Sequence, residues 1–277
     1  MRNGDLITSR NNPKIKWVAS LSEKKKRNEY SSFFIEGEKL LIEALEAGLP
    51  VTHVFIREPD AERINKLIHN YSTCEKFKNT EIIHVSEGAF DKISTEKSPE
   101  GVITVIKHLD FFRIIDIIYK EEFFSSPSER VLALCSVRDP GNLGAVIRSA
   151  VAFGVDHIVV SQDCADVYNH KTIRAAMGGL FKIKISIVKD FKEFISCAID
   201  KGRRIYAAEL NKNAISLPEL DMRRSDIFII GNEGHGIPDE ISKLCTSSIY
   251  IPISARTESL NASVAAAMFM WEQSKVN

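Results

Sequence analysis

The stretch Ile227-Phe228-Ile229-Ile230-Gly231-Asn232-Glu233-Gly234-His235-Gly236-Ile237-Pro238 decides how the second half of this chain is read. An unbroken apolar run predicts a strand covered on both faces, as in a parallel sheet. Three glycines then open a turn, and Pro238 starts a helix. Glycines directly after a strand let backbone approach a ligand closely, and a helix start offers free N–H groups. A merely tight connection would use glycines too, but Glu233 among them points to chemistry. His235 reads as a surface residue rather than a base. The spacing Gly231-x-x-Gly234-x-Gly236 is not a dinucleotide fingerprint, and no phosphate-loop motif occurs, which opposes a nicotinamide dehydrogenase.

Working outward, strands are expected over 131–135, 157–161, 183–188, 204–210, 227–232 and 248–253. Helices are expected over 143–153, 171–178, 191–199, 238–245 and 262–273. Such alternation predicts a mainly parallel sheet with helices on both faces, residues 131–277 forming one α/β domain. Upstream, residues 1–107 read as a smaller α/β domain. Helices are expected there over 15–21, 38–47 and 61–69, and strands over 33–35, 51–57, 82–85 and 101–107. Residues 108–130 hold Phe111, Phe112 and Tyr119, then Phe123-Phe124-Ser125-Ser126-Pro127-Ser128, and read as a linker with a helix ahead of the Ser/Pro cluster.

Two more segments carry polar residues inside small or apolar runs. In Asp139-Pro140-Gly141-Asn142-Leu143-Gly144-Ala145-Val146-Ile147-Arg148-Ser149-Ala150, Arg148 is the lone charge of the helix. It must be paired or face a polar cleft, because an isolated buried charge is costly. In Ile251-Pro252-Ile253-Ser254-Ala255-Arg256-Thr257-Glu258-Ser259-Leu260-Asn261-Ala262, a polar loop feeds an alanine-rich helix, and Ser259 or Asn261 is placed to cap it.

The remaining composition mostly excludes. Lys and Arg together number 37, as do Asp and Glu, so overall charge is silent on nucleic acid. From Met1 to Tyr30, however, eight basic residues face three acidic ones. Lys14, Lys16, Lys24, Lys25, Lys26 and Arg27 are candidate phosphate contacts, or a solvated helix face. The five cysteines (Cys74, Cys135, Cys164, Cys197, Cys245) form no CxxC pair, which argues against a zinc site or disulfide framework and for a reducing cytoplasm. No apolar run approaches the roughly 20 residues of a spanning helix, and Met1-Arg2-Asn3-Gly4-Asp5 leads into no signal-peptide core. A membrane location and a metal are therefore not expected.

Taken in order, the segments resemble the three motifs of the SpoU (TrmH-type) branch of the SPOUT RNA 2'-O-ribose methyltransferases. The carriers are Asn142 and Arg148, the turn Gly231-Asn232-Glu233-Gly234, and Ile251-Pro252 with Ser259-Leu260-Asn261. Ile7-Thr8-Ser9-Arg10-Asn11-Asn12-Pro13-Lys14-Ile15-Lys16, Phe34-Ile35-Glu36-Gly37 and Ser98-Pro99-Glu100-Gly101-Val102 resemble the small, ribosomal-protein-like RNA-binding domain of rRNA-type members. The resemblance implies an α/β domain with a deep C-terminal trefoil knot, a homodimer, and S-adenosylmethionine held near Gly231, Ile251 and Leu260. It implies catalytic roles for Arg148, Asn142, Glu233, Ser259 and Asn261, with Glu233 orienting the arginine and Asn142 positioning the hydroxyl or Arg148. Arg148 matches a proposed base. Arginine normally keeps its proton, so binding a phosphate or the developing alkoxide is the other reading. Relatives often carry Asn-Pro-Lys and Arg-Ala-Ser where this chain has Asn169-His170-Lys171 and Arg174-Ala175-Ala176. Arg174 remains a candidate RNA contact or a salt-bridge partner. The implied substrate is 23S-type rRNA; tRNA, or a catalytically silent RNA-binding protein, are the alternatives.

Overall fold

The computed structural model describes residues 6–71, 77–109, 112–115, 124, 126 and 128–276, with backbone alone for 112–115. It divides into two compact units. One comprises Met1–Leu109 with Tyr168–Phe181, the other Asp110–Val167 with Lys182–Asn277.

The first unit holds a four-stranded sheet in the order β1-β4-β2-β3: β1 (Ser32–Glu36), β2 (Val51–Arg57), β3 (Glu81–Val85) and β4 (Val102–Lys107). β4 runs antiparallel to both neighbours, and β2 pairs β3 in parallel. Helix α1 (Pro13–Ser20) starts on an Asn12 cap and sends Ile15 and Val18 into the core with Leu21, Phe34, Phe55 and Val85. Helix α2 (Lys24–Tyr30) carries the basic run. Helices α3 (Glu38–Glu46) and α4 (Ala61–His69) keep their expected places; α5 (Glu87–Phe90) is short and capped by Ser86.

The second unit is an eight-stranded sheet in the order β10-β12-β9-β11-β6-β7-β8-β5. Its strands are β5 (Phe112–Ile115), β6 (Val131–Leu134), β7 (His157–Ser161), β8 (Lys184–Val188), β9 (Ile205–Ala208), β10 (Ile215–Ser216), β11 (Ile227–Ile230) and β12 (Ser247–Tyr250). Every strand pair is parallel. β6, β7 and β11 are buried along their whole length, which is why they read as unbroken apolar runs. Helix α6 (Pro140–Ala152) buries Leu143, Val146, Ile147 and Ala150, the i, i+3, i+4, i+7 stripe of one face. The segment His170–Ala176, α7, belongs to the first unit. Helix α8 (Phe191–Asp200) seats Phe194, Ile195 and Ala198 on Val131, Ala133, Ile227 and Ile229. Helix α9 (Asp239–Ser242) follows the glycine turn, and α10 (Ala262–Ser274) packs on α6 and β11, with Phe269 stacked on Phe228 at 5.1 Å.

Two places depart from expectation. Ahead of the Ser/Pro cluster, Phe112–Ile115 form β5 instead of a helix, because the open edge of β8 satisfies their backbone groups. The rest of that expected helix, with Phe111 and Tyr119, lies outside the described residues, as do Met1 to Asp5 and Cys74. Second, residues 168–181, read as part of 131–277, pack with the first unit. The Tyr168 ring stacks on Phe33 at 4.4 Å, and its hydroxyl accepts the Leu109 N–H at 2.8 Å. Burying that aromatic ring against β1 outweighs the sequence proximity to β7 and β8.

Candidate methyltransfer site

Three loops meet at the C-terminal edge of the second unit's sheet, the position where open α/β sheets bind ligands. The first follows β6. Ser136 sits there at a φ of 60°, left-handed backbone that a non-glycine residue rarely adopts. Three contacts hold it. Its N–H donates to Ser161 Oγ at 2.8 Å, its hydroxyl to Asp163 at 2.6 Å, and its carbonyl accepts Asn232 Nδ2 at 2.8 Å. Burial pushes the Asp163 carboxyl up, but hydrogen bonds from Ser136, Ser161 and Arg138 outweigh it and hold the group below its ordinary value.

The glycine turn is the second loop. Asn232 organises it: Oδ1 accepts the N–H groups of Gly234 and His235 at 2.9 and 3.1 Å. Asn232 and Gly236 exchange two backbone hydrogen bonds of 2.9 Å, closing the loop on itself. Gly231 lies against that closure. A Cβ placed on it would sit 2.5 Å from the Gly236 carbonyl carbon, so only glycine fits. Gly236 takes a φ of +67°, the left-handed turn that ends the loop.

The third loop runs from β12 to α10. Asn261 caps α10 through Oδ1, which accepts from Ser263 N and Val264 N at 2.9 and 3.3 Å. That leaves its Nδ2 to donate to Asn142 Oδ1 at 2.9 Å, and Asn142 Nδ2 donates in turn to Glu233 Oε1 at 2.7 Å. The relay Asn261→Asn142→Glu233 joins all three loops and fixes both amide orientations, since each amide oxygen faces donors and each amide nitrogen faces an acceptor. Beside it opens a pocket of about 170 Å³ lined by Ile249, Ile251, Leu260, Phe269, Glu209 and Glu258, among others. Two nearby thiols are inert: burial pushes Cys135 up to about 11 and Cys245 to about 12.

Residues 129–271 match the model of the SpoU rRNA methylase family, just over half of the chain. The chain belongs to the SpoU rRNA methylase family. Residues 12–104 of this SpoU methylase match the MRM3-like substrate binding domain. The chain is 29% identical over 265 residues to the 23S rRNA (guanosine(2553)-2'-O)-methyltransferase RlmP of Bacillus subtilis, covering 96% of this chain and 97% of that one. It is similar to the AdoMet-bound rRNA methyltransferase of Sinorhizobium meliloti, with a TM-score of 0.82, 27% identity, and 98% and 97% of the two chains covered. The AdoMet-bound SpoU methyltransferase AviRb of Streptomyces viridochromogenes, at 22% identity and a TM-score of 0.79 over 95% and 98% of the chains, shares the fold.

Of the motif residues of this SpoU methylase, Asn142, Glu233 and Asn261 come together in one relay, and Ile251 and Leu260 line the pocket beside it. Gly231 supports the turn behind them. Ser259 also lines the pocket and leaves capping to Asn261. Arg148 is exposed on α6 and has neither ion pair nor hydrogen bond among the described residues. Glu233 therefore does not orient it; the Asn142 amide reaches that carboxylate instead.

The basic candidates divide. Arg27 is a correction: it is 4% exposed and donates through Nη1 to the carbonyls of Leu21 and Ser22, so it buttresses the bend between α1 and α2. Lys14 pairs with Glu81, Lys26 with Glu29 at 2.8 Å, and Arg174 with Glu96. Lys16, Lys24 and Lys25 are exposed. Sequence reading placed Asn232 only within the turn motif and missed Ser136 and Glu209. Nothing in their local spacing marks them, although a serine in left-handed backbone is visible once the fold is known. Among the described residues no helix is long and apolar enough to cross a membrane, and no group of His, Cys, Asp and Glu is placed to hold a metal.

Proposed function

We propose that this chain transfers a methyl group from S-adenosylmethionine to a ribose 2'-hydroxyl of RNA, with 23S-type rRNA as its substrate. The observation that carries the reading is the three-loop relay Asn261–Asn142–Glu233 beside the Ile251/Leu260 pocket. That pocket suits the cofactor chemically. Ile249, Ile251, Leu260 and Phe269 offer an apolar face for a purine, and Glu209 and Glu258 offer carboxylates for hydroxyl, amino or sulfonium groups. The cofactor supplies an activated methyl group on a positively charged sulfur.

The protein's residues then do three things. Gly231 and Leu260 would hold the cofactor through the backbone of their loops. Asn142, its amide locked by Asn261 and Glu233, presents a fixed polar edge to the ribose hydroxyl, and positioning of this kind supplies much of a transfer reaction's acceleration. Arg148, exposed on the same helix and without an ion pair among the described residues, binds the adjacent phosphate or the oxygen as negative charge develops on it, while the hydroxyl proton passes to solvent; arginine side chains hold their proton too tightly to serve as a base. Ser259 shapes the substrate side. Protonated thiols at the buried Cys135 and the partly buried Cys245 favour hydroxyl methylation over a reaction through a cysteine adduct.

The reading brings with it a trefoil knot in the cofactor loops, a cytoplasmic setting and a homodimer. Val264, Met268 and Trp271, spaced i, i+4, i+7 on α10, are 48%, 39% and 52% exposed, an apolar stripe that supports a second copy. We assign RNA capture to the first unit. Mapping 2'-O-methyl groups in the RNA of a deletion strain tests the function. Loss of one 23S rRNA methyl is expected, loss of a tRNA methyl would reassign the substrate, and an unchanged map would refute RNA methylation.

A further inference from the structure

The polar face of α1 borders a second cavity, remote in composition from the methyltransfer site. Helix α1 turns Ile15 and Val18 inward with Leu21. The opposite face therefore presents Lys16, Ala19, Ser20 and Glu23 at i, i+3, i+4 and i+7. These residues, with Arg10, Asn11, Ser22 and Lys92, line an open groove of about 670 Å³ within the first unit. Lys92 comes from the turn after α5, and Arg10 is pinned at the groove's edge because its Nε donates to the Gly88 carbonyl at 2.6 Å. Arg10 has one distant acidic neighbour, Asp91 at 3.9 Å, with both side chains well exposed, a pair of little strength. Lys16 and Lys92 are exposed and make no ion pair among the described residues. Three cations thus line the groove with one acid, Glu23, and Asp91 stands beside Arg10.

Charge and shape together narrow the ligand. A pocket this open and this large is not built for one small anion, while cations spaced around a trench suit successive phosphates of a polynucleotide. The hydroxyls of Ser20 and Ser22 donate to the Trp17 and Ala19 carbonyls at 2.6 and 2.7 Å, which leaves their oxygens as acceptors toward the groove. Such acceptors suit a ribose 2'-hydroxyl. We propose that the Arg10–Lys16–Lys92 groove is the phosphate-tracking site through which the first unit holds its RNA. It rests on the methyltransferase reading above, and it assigns capture to Arg10, Lys16 and Lys92 ahead of the ion-paired Lys14 and Lys26.

The test uses the full chain, an in-vitro 23S rRNA transcript, and filter binding at several salt concentrations. Arg10→Ala, Lys16→Ala and Lys92→Ala should each lower the slope of log affinity against log salt by about 0.7–0.9. The triple variant should bind the transcript on the order of 10- to 100-fold more weakly, with the loss appearing in KM and with AdoMet affinity by calorimetry unchanged. Lys16→Arg should restore binding. Lys78→Ala, an exposed lysine outside the groove, should leave the slope alone. Wild-type slope and affinity in the triple variant, or an equal effect from Lys78→Ala, would overturn the groove assignment. Failure of the wild type to incorporate labelled methyl would instead count against the methyltransferase reading, independently of the groove.

Discussion

Asn261 donates from Nδ2 to Asn142 Oδ1 at 2.9 Å, which ties the start of α10 to the start of α6 across 119 residues of sequence. The same side chain caps α10 with its oxygen, so one amide does two jobs with its two ends. Asn261→Asp separates them. The cap survives, because aspartate caps as well as asparagine, but the donor to Asn142 is lost. The expected result is a melting temperature close to wild type with a methylation rate reduced on the order of 10-fold or more. Asn261→Ala should also lose about 1 kcal/mol of stability by thermal melting. Full activity in Asn261→Asp would remove the relay from the mechanism.

Arg148 lies exposed on α6 without an ion pair among the described residues, so its removal should cost the fold little, within about 0.5 kcal/mol. Its effect on rate should be large, on the order of 10²–10³-fold for Arg148→Ala, as for other groups aimed at developing charge. Arg148→Lys retaining the full single-turnover rate would leave no special role for the guanidinium.

Gly231 has no room for a methyl group, its Cβ position lying 2.5 Å from the Gly236 carbonyl carbon. Gly231→Ala should therefore push the turn open and lower stability by about 1–3 kcal/mol. Calorimetry should show weakened S-adenosylmethionine binding alongside the lower melting temperature. Unchanged affinity would separate the turn from the cofactor site.

Trp271 stands at the end of the α10 stripe and is 52% exposed. Trp271→Glu places a charge where a second copy would bury the ring. Light scattering should read a dimer for the wild type and a monomer for the variant; a monomeric wild type would dismiss the homodimer.

His157 opens β7 fully buried, with Nε2 sharing a 2.8 Å hydrogen bond with Ser186 Oγ. Burial, with help from Lys184 and Arg203, pushes its pKa down to about 3. An unfolded histidine titrates near 6.5. Between about 6.5 and 3 the unfolded chain therefore takes up a proton that the folded chain refuses, and stability falls as pH falls, by up to about 1.4 kcal/mol per unit. His157→Gln should decline less steeply over that window in denaturant titrations. It should be less stable near pH 7, by roughly 1–3 kcal/mol, because the site is packed for an imidazole.

Much of this molecule is legible from local pattern. The unbroken run 227–230 becomes β11, and the Leu143/Val146/Ile147/Ala150 stripe becomes the buried face of α6, because periodic burial writes itself into adjacent residues. The glycine turn was readable because three glycines follow the strand, whereas the missing space at Gly231 arises only where the Gly236 backbone folds back on it. Motif order placed Asn142, Glu233 and Asn261 in one site before any coordinates. The direction of the relay could not be read that way, nor could Glu233 turning to Asn142 instead of Arg148, since which amide faces which depends on three loops converging.

The N-terminal basic run shows the division most clearly. Sequence by itself determined that a helix lies near the N-terminus, and that positive charge is concentrated in the first 30 residues. Only the tertiary structure decided which cations are free to act. Arg27 is buried on the carbonyls of Leu21 and Ser22, and Lys14 is spent on Glu81, whereas Lys16 meets Arg10 and Lys92 across a groove. The physical reason is that a charge's role is set by what faces it, and residues 81 and 92 reach α1 only through the folded sheet and its turns. Charge is a property of the residue; availability is a property of the fold.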